Sequence, residues 1–189
     1  AAGTRWSQVS VPSSPSPRAR AAAVTLGEKL LIIGGYSRAD GYLGDAHLLA
    51  LAGDAGEWAP VSLDATASDA AWGPRAQHCA AASADSQHVV VFGGYNGTSV
   101  LNELWLLEMA AEGGSVQAMQ LKVGGAPEPR SRSSCHILGG GELVVLGGYD
   151  GNKPHSGDVF HLDVSSFASL LASASASEPT DESVETVNP

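Results

Sequence analysis

Large apolar residues are concentrated in short runs along this chain, and three of the runs end in the same way. Each has four large apolar residues in succession and then Gly-Gly-Tyr, with no alternation of apolar and polar positions. A strand with one face in solvent would alternate, so the unbroken runs predict strands covered on both faces. The runs recur at intervals of roughly 50–60 residues, which indicates a repeat protein. They are Leu30–Tyr36, Val89–Tyr95 and Leu143–Tyr149.

The sequence around each run also repeats. A Pro-Arg pair opens each copy, and small residues and a short turn lead to the apolar run. A polar loop follows the Tyr. The next segment has an acidic residue, then a residue with an aromatic or imidazole ring two positions later, and Leu four positions later. A fourth segment, Trp58–Leu63 in copy one and Val116–Leu121 in copy two, completes the pattern. The pairs are Pro17-Arg18, Pro74-Arg75 and Pro129-Arg130, and the third segments are Asp45–Leu51, Glu103–Met109 and Asp158–Val164.

Four short strands per repeat correspond to one blade of a β-propeller. The combination of Pro-Arg, the apolar run with Gly-Gly-Tyr, the acid two residues before a ring, and Trp closely resembles the Kelch repeat family over about residues 5–164. The resemblance implies an all-β fold of Kelch-type β-propeller blades, each a four-stranded antiparallel sheet. The three repeats span about 17–63, 74–123 and 129–164.

The two ends of the chain differ from the repeats. Segment 6–11 copies the spacing of Trp58–Leu63, so we expect an unpaired outer strand at the N-terminus. This strand either completes a blade where the ring closes or ends a preceding blade. Residues 165–189 are rich in Ser, Ala and acids and predict a flexible acidic tail.

Three blades are fewer than the roughly 4–8 that close a propeller. We therefore expect the remaining blades to come from the same parent chain, so that this sequence is part of a larger Kelch propeller. The alternatives are a ring that closes by oligomerisation and further repeats too divergent to recognise.

Charge and cysteine content limit the classes of partner. The net charge is −10, which argues against nucleic acid and anionic membrane surfaces. No run of about 18 apolar residues is present that could span a bilayer. Cys79 and Cys135 are the only cysteines, and two thiols fit a reducing compartment, so we expect a cytoplasmic protein. Each is interpreted as a small residue that fills space.

Catalytic and metal-binding patterns are missing from the sequence. The six His residues show no His-x-x-x-His spacing, and there is no Cys-x-x-Cys pair. Phosphate loops, dinucleotide fingerprints and nucleophile elbows are also absent. We predict no catalytic residues, no cofactor, no metal and no enzymatic activity. The alternative is a metal-dependent propeller enzyme, an oxidase or a lyase, whose ligand sets we do not find.

Arginine positions give the first indication of function. Five of the ten basic residues are arginines at the start of a repeat. Equivalent positions of successive blades meet on one face, so they predict a cationic arc that suits carboxylate or phosphate groups. The first arginine of each copy is interpreted as architectural, hydrogen-bonding loop carbonyls between blades. The resemblance implies that the position two residues later lies near the face that binds protein ligands; it holds Arg20, Gln77 and Arg132.

The loops after Gly-Gly-Tyr form the second candidate set. They differ between copies while the surrounding frame repeats, and variable loops on a fixed scaffold are where recognition is usually found. The alternative is solvated turns with no partner. The tyrosines themselves are interpreted as structural, packing the blade edge. The candidate partner-binding residues in these loops are Ser37, Arg38, Tyr42, Asn96, Thr98, Asp150, Asn152 and Lys153.

The sequence therefore predicts a protein–protein interaction module or scaffold. Its expected partner is a protein segment, and the specific hypothesis is an acidic or phosphorylated segment. The expected binding face is formed by the starts of the inner strands and the loops after each Tyr. The alternatives are the propeller enzyme and a purely structural spacer within a large assembly.

Overall fold

The computed structural model describes residues 4–65, 71–110, 114–139, 141–153 and 157–166; the predicted tail lies outside this part from residue 167 onward. These ranges contain eleven strands. No helix suited to crossing a membrane occurs in them. In chain order the strands are β1 (Ala22–Leu26), β2 (Lys29–Ser37), β3 (Gly41–Ala52), β4 (Ala55–Asp64), β5 (Cys79–Ala82), β6 (His88–Tyr95), β7 (Val100–Met109), β8 (Ser115–Leu121), β9 (Ser134–Ile137), β10 (Glu142–Leu146) and β11 (Val159–Asp163).

Each repeat folds into one antiparallel blade. Blade 1 contains β1–β4, blade 2 contains β5–β8, and the described residues of blade 3 form β9–β11. Consecutive strands of a blade pair with each other, and β4 also pairs in parallel with β8 over Ser62–Asp64 and Ser115–Gln117. The all-β architecture of Kelch-type blades that the sequence predicts is confirmed.

The third strands begin earlier than the sequence predicts. The Gly-Gly-Tyr motif stands at the end of β2 and β6, and both strands continue past an irregularity at its first glycine. Asp45 and Glu103 stand inside β3 and β7 and do not open them. The apolar pattern could not show these extensions, since Gly44 and Asn102 interrupt it just before each acid.

The predicted outer strand 6–11 does not form a strand. Ser10 makes a single parallel bridge to Ala55 at the start of β4, with a backbone N–H···O distance of 3.0 Å. Ser62, the matching residue of β4, donates in the same way to the Gly114 carbonyl at 3.3 Å. The N-terminal segment therefore contacts β4 in parallel, in the same way as β4 contacts β8.

The apolar runs are buried between blades. In β6, Val89 and Val91 face blade 1, whereas Val90 and Phe92 face blade 3, and all four are almost fully buried. Burying a side chain of this size stabilises a fold by about 1.5–3 kcal/mol. The apolar clusters thus lie between neighbouring blades, and each blade depends on its neighbours for burial.

A backbone contact also joins each blade to the next. The Arg75 N–H donates to the Leu43 carbonyl at 3.0 Å, and the Arg75 carbonyl accepts from the Gly35 N–H at 2.9 Å. A Cβ atom at Gly34, where φ is +56°, would lie 2.6 Å from the Arg75 carbonyl oxygen, so this position requires glycine. The contact recurs between blades 2 and 3 with Arg130, Leu101, Gly93 and Gly94.

The two cysteines connect neighbouring blades, which the sequence did not indicate. Cys79 in β5 and Cys135 in β9 form a disulfide, with Cα atoms 5.4 Å apart. The interpretation of each as a separate space-filling residue is therefore wrong. They stand one position apart in the aligned repeats, so comparison of the copies showed no contact. The cytoplasmic location, which rested on two free thiols, stays a prediction.

Replacing Gly34 with Ala should destabilise the protein more than the same change at Gly27. Their φ values are +56° and +59°, but a Cβ at Gly27 meets nothing within 4 Å, whereas at Gly34 it meets the Arg75 carbonyl. The backbone conformation alone costs about 1–2 kcal/mol, and the clash should add about 1–3 kcal/mol. Urea denaturation of both variants measures the difference. Equal losses at the two positions would contradict the close contact between blades.

Reducing the Cys79–Cys135 bond should lower the free energy of unfolding by about 2–4 kcal/mol, because the unfolded chain is then less constrained. Thermal unfolding with and without reductant measures the loss, and the Cys135→Ser variant should not respond to reductant. Mass spectrometry of peptides from unreduced protein identifies the bond. Alkylation of both cysteines in unfolded, unreduced protein would show that the bond is absent.

Candidate partner-binding face

The side chain of the first arginine of blade 1 is buried and ties together parts of its own blade. The Arg18 guanidinium donates to the Gly34 carbonyl at 3.0 Å and to the two carboxylate oxygens of Asp45 at 2.6 and 2.9 Å. His47 is bonded to the same carboxylate at 2.8 Å. The Arg18 guanidinium lowers the pKa of Asp45 to about 2, because it stabilises the charged carboxylate.

The first arginines of the other blades make similar contacts. Arg75 bonds Glu103 at 2.8 Å, and Arg130 donates to the Gly147 carbonyl at 3.0 Å with Asp158 3.7 Å away. These arginines have a structural role, as interpreted, but the expected side-chain hydrogen bonds to loop carbonyls between blades are wrong. The side chains bond groups of their own blade, and it is the backbone of Arg75 and Arg130 that reaches the preceding blade. The acidic residue that recurs in each copy before the ring is the ion-pair partner of this arginine.

Arg20, Gln77 and Arg132 share a left-handed backbone, with φ of +59°, +60° and +61°. This conformation costs a non-glycine residue about 1–2 kcal/mol, so its surroundings must hold it. Hydrogen bonds that cross the blades do so. The Gln77 N–H donates to the Arg20 carbonyl at 2.8 Å, and the Arg132 N–H donates to the Gln77 carbonyl at 2.7 Å. The three predicted residues thus form one continuous left-handed arc.

The side chains of the left-handed arc lie at the surface. Arg20 and Arg132 are exposed, and Gln77 is partly exposed. The Arg132 Nε–H donates to the side-chain oxygen of Gln77 at 3.0 Å, and its guanidinium carbon lies 5.6 Å from the centre of the Tyr149 ring. The arc therefore presents hydrogen-bond donors, with a positive charge on either side of Gln77.

The Gly-Gly-Tyr tyrosines lie beside this arc. Two of their hydroxyls fix the loop that follows: Tyr95 donates to the Gly97 carbonyl at 2.9 Å, and Tyr149 donates to the Gly151 carbonyl at 2.8 Å. These two tyrosines have a structural role, as expected. The residue before each arc residue is bridged to the tyrosine of its blade; the pairs are Ala19–Tyr36, Ala76–Tyr95 and Ser131–Tyr149.

Tyr42, a predicted site residue, joins blades 1 and 2 at this surface. Its ring lies between those of Tyr36 and Tyr95 in edge-to-face contacts, with ring centres 5.2 and 5.6 Å apart. Gly97 lies against the Tyr42 ring, and a Cβ there would be 3.0 Å from it. Tyr36 remains exposed, so this tyrosine row adds an aromatic surface next to the arc. The sequence interpretation treated Tyr36 as scaffold and missed this surface.

Three predicted loop residues shape their own turns. Ser37 is buried, and its hydroxyl bonds two backbone N–H groups and a carboxylate within the same turn. Asn96 and Asp150 each accept backbone N–H groups from the residues two and three places later, at 2.7–2.9 Å. Such Asx-turns fix the loop backbone. These three side chains support the loops from within.

The other predicted loop residues are exposed beside the arc. Together, the left-handed arc, the tyrosine row with Tyr149, and loops 37–40, 96–99 and 150–153 form what we term the loop face. It brings predicted residues from three blades to one surface, with Ser37 buried beneath it. The exposed loop side chains are Arg38, Thr98, Asn152 and Lys153.

His78, next to the arc, is buried against blade 1. Neither ring nitrogen makes a well-formed hydrogen bond within the described ranges, and the side chain packs on Gly34. Burial, helped by nearby Arg75, lowers the pKa of His78 to about 3, while the Ile33 backbone weakly favours the charged form. No pattern in the sequence indicated this, since the equivalent residues of the other copies are not histidines.

Across the described residues, no three His, Cys, Asp or Glu side chains are grouped so as to hold a metal ion. The expected lack of a cofactor and of catalytic residues stays a prediction.

The blades and the loop face together define a Kelch-type propeller domain. The KLHDC2/KLHL20/DRC7 Kelch-repeats domain matches residues 2–187, and the chain belongs to this family. Kelch-repeat domains are generally non-enzymatic modules that bind protein partners. Family membership therefore supports an interaction module in general.

Two relatives are similar to this chain over part of their own, longer sequences. The chain is 32% identical over 152 residues to the flagellar outer arm dynein alpha chain of Chlamydomonas reinhardtii, covering 78% of this chain and 3% of that protein. It is 28% identical over 176 residues to acyl-CoA-binding domain-containing protein 4 of Arabidopsis thaliana, covering 92% of this chain and 25% of that protein. The chain thus spans a quarter or less of each.

Stability should fall as pH decreases from about 6.5 toward 3. His78 has a lowered pKa in the folded protein and an ordinary one near 6.5 when unfolded, so unfolding takes up a proton in this range. The stability that depends on neutral His78 is fully present above pH 6.5. Urea denaturation between about pH 4.5 and 7.5 measures the slope.

The His78→Asn variant should flatten this slope, because asparagine does not titrate. His136→Asn, at an exposed position of β9, is the matched control and should keep it. Parallel pH profiles for the unchanged protein and His78→Asn would contradict the buried neutral histidine.

Proposed function

We propose that the loop face binds a protein segment that carries acidic or phosphorylated side chains. The observation that carries this proposal is the left-handed arc, in which Arg20, Gln77 and Arg132 are held side by side. Backbone conformations of this kind cluster at ligand-binding and active sites, where the surrounding structure maintains them. The arc is therefore a pre-organised set of donors.

A difference between the arginines of one repeat supports an acidic ligand. The side chains of Arg18 and Arg75 are buried, and each is paired with a carboxylate of its blade. Arg20 and Arg132 are exposed and form no ion pair with a carboxylate of the described residues. A guanidinium offers a planar fork of donors that matches a carboxylate or a phosphate. The arc can supply this fork to a partner.

Local charge points in the same direction. The chain has a net charge of −10, yet two of its arginines stand on the arc and two further cations, Arg38 and Lys153, stand in the adjoining loops. These four cations outnumber the two acids of the same loops, Asp40 and Asp150, and a positive excess attracts negatively charged segments. This favours an acidic or phosphorylated segment over a basic one.

The tyrosine row gives the loop face a second type of contact. Tyr36 is exposed next to Ala19, which precedes Arg20, and the Tyr149 ring lies near the Arg132 guanidinium. Tyrosine is enriched at protein interfaces because its ring packs on apolar groups while its hydroxyl stays wet. A segment that lies along the arc would therefore place apolar side chains on these rings.

The test replaces the two arginines of the arc with glutamine, the residue that blade 2 has at the same position. Gln77 occupies the arc at φ of +60°, so Arg20→Gln/Arg132→Gln removes both charges with a side chain suited to this backbone. Peptides are first selected from a displayed library of acidic and phosphorylated sequences. We expect affinity for them to fall about tenfold for each arginine lost, measured by fluorescence anisotropy. Added salt should weaken binding by the unchanged protein.

Two further variants make the result specific. Gln77→Arg adds a third charge to the arc and should strengthen binding. Lys29→Gln removes a charge from the β1–β2 hairpin, at the other end of β1, and should have no effect. Failure to select acidic or phosphorylated peptides would overturn the proposal, as would equal binding by folded Arg20→Gln/Arg132→Gln and the unchanged protein.

A structural role within a large assembly is the second candidate function. The similarity to part of the flagellar outer arm dynein alpha chain favours it. In that case contacts would be spread over several surfaces. The Arg20→Gln/Arg132→Gln variant would then enter the assembly as well as the unchanged chain does, which separates the two functions.

A further inference from the structure

Trp72 fills the space between blades 1 and 2. Its indole ring stacks on the Arg75 guanidinium, with 4.4 Å from the guanidinium carbon to the ring centre, and meets the Trp105 ring edge-on at 5.3 Å. Its Nε1–H donates to the Gly44 carbonyl at 2.8 Å. One planar side chain with one hydrogen bond therefore closes this junction.

The equivalent position between blades 2 and 3 holds Pro127. Trp72 and Pro127 both stand two residues before a Pro-Arg pair, so a small ring replaces the indole in the second junction. A cavity of about 240 Å³ lies there and is lined by residues of both blades. Its apolar walls include Leu104, Leu121, Leu143, Val145, Phe160 and Leu162.

The walls of this cavity correspond to the groups that surround Trp72. Phe160 stands at the repeat position of Trp105, and Asn102 stands at the position of Gly44, whose carbonyl accepts the indole N–H. Phe160 and Asn102 both line the cavity. The second junction thus keeps an aromatic wall and an equivalent backbone position. It differs in the planar group between them and in its arginine, because the Arg130 guanidinium lies over the Phe160 ring, 4.7 Å from its centre.

We propose that this cavity binds a small planar aromatic molecule with one N–H donor, of the size and chemistry of indole. An apolar cavity of about 150 Å³ is large enough to bind benzene. The cavity here, of about 240 Å³, accommodates a bicyclic ring. Trp72 shows, in the same molecule, that such a ring packs between two blades and finds a backbone acceptor. No loop-face residue lines the cavity, so the proposal is independent of partner binding.

The cavity also offers a route of entry. Part of its wall comes from exposed residues, Asn102, Lys122 and His161, so the cavity reaches the surface. A ligand therefore enters without separation of the blades. Mostly apolar walls with a few polar groups are typical of small-molecule sites, because the walls bury the rings and the polar groups orient them.

Indole itself is the probe. Saturation-transfer NMR should show contact with the protein, and titration should give a dissociation constant of about 1 mM or tighter. Pro127→Trp puts an indole into the cavity from the position that Trp72 occupies in the first junction. We expect this variant to bind free indole at least about tenfold more weakly and to unfold at a higher temperature.

Leu162→Phe fills the cavity from β11 and serves if Pro127→Trp does not fold; it should also weaken indole binding. Lys29→Gln in blade 1 should bind indole as the unchanged protein does. Saturable binding that a filling variant weakens supports the proposal. The absence of saturable binding overturns it, and so does binding that a folded filling variant leaves unchanged.

Discussion

The structure depends on the contact between the Pro-Arg backbone of one blade and the Gly-Gly pair of the blade before it. Arg18 holds the Gly34 carbonyl from within blade 1, and the next residue, Gly35, donates its N–H to the Arg75 carbonyl of blade 2. A β-carbon at Gly34 would exclude this approach. The motif is therefore a junction between blades, and the apolar clusters on either side of β6 lie between the blades that it joins.

The same short segment carries both scaffold and recognition surface. Two residues after the arginine of each Pro-Arg pair, the backbone turns left-handed. The N–H of Gln77 donates to the Arg20 carbonyl of the preceding blade, and the Gln77 carbonyl accepts from the Arg132 N–H of the following blade. Paired, buried arginines such as Arg75 stabilise the blade, whereas Arg20 and Arg132 extend to the surface. This division explains why half of the basic residues of an acidic chain stand at the start of a repeat.

Much of this could be predicted from the sequence because the features recur in register. The apolar runs indicated strands buried on both faces, and the repeated Pro-Arg pair indicated an architectural arginine. Features without a repeated pattern were missed. Cys79 and Cys135 meet only in three dimensions, His78 has no histidine counterpart, and the left-handed φ of Gln77 leaves no mark in its residue type. The cavity between blades 2 and 3 was also missed. It lies where Pro127 stands at the repeat position that Trp72 occupies between blades 1 and 2.

Amide hydrogen exchange tests most directly the central claim that the loop face is held by hydrogen bonds passing from blade to blade. The decisive amides are those of Gly35, Gln77, Gly94 and Arg132, which donate to carbonyls of a neighbouring blade. They should exchange nearly as slowly as Val90 in the middle of β6, although Arg132 is exposed. Exchange as fast as that of exposed loop amides would contradict the account.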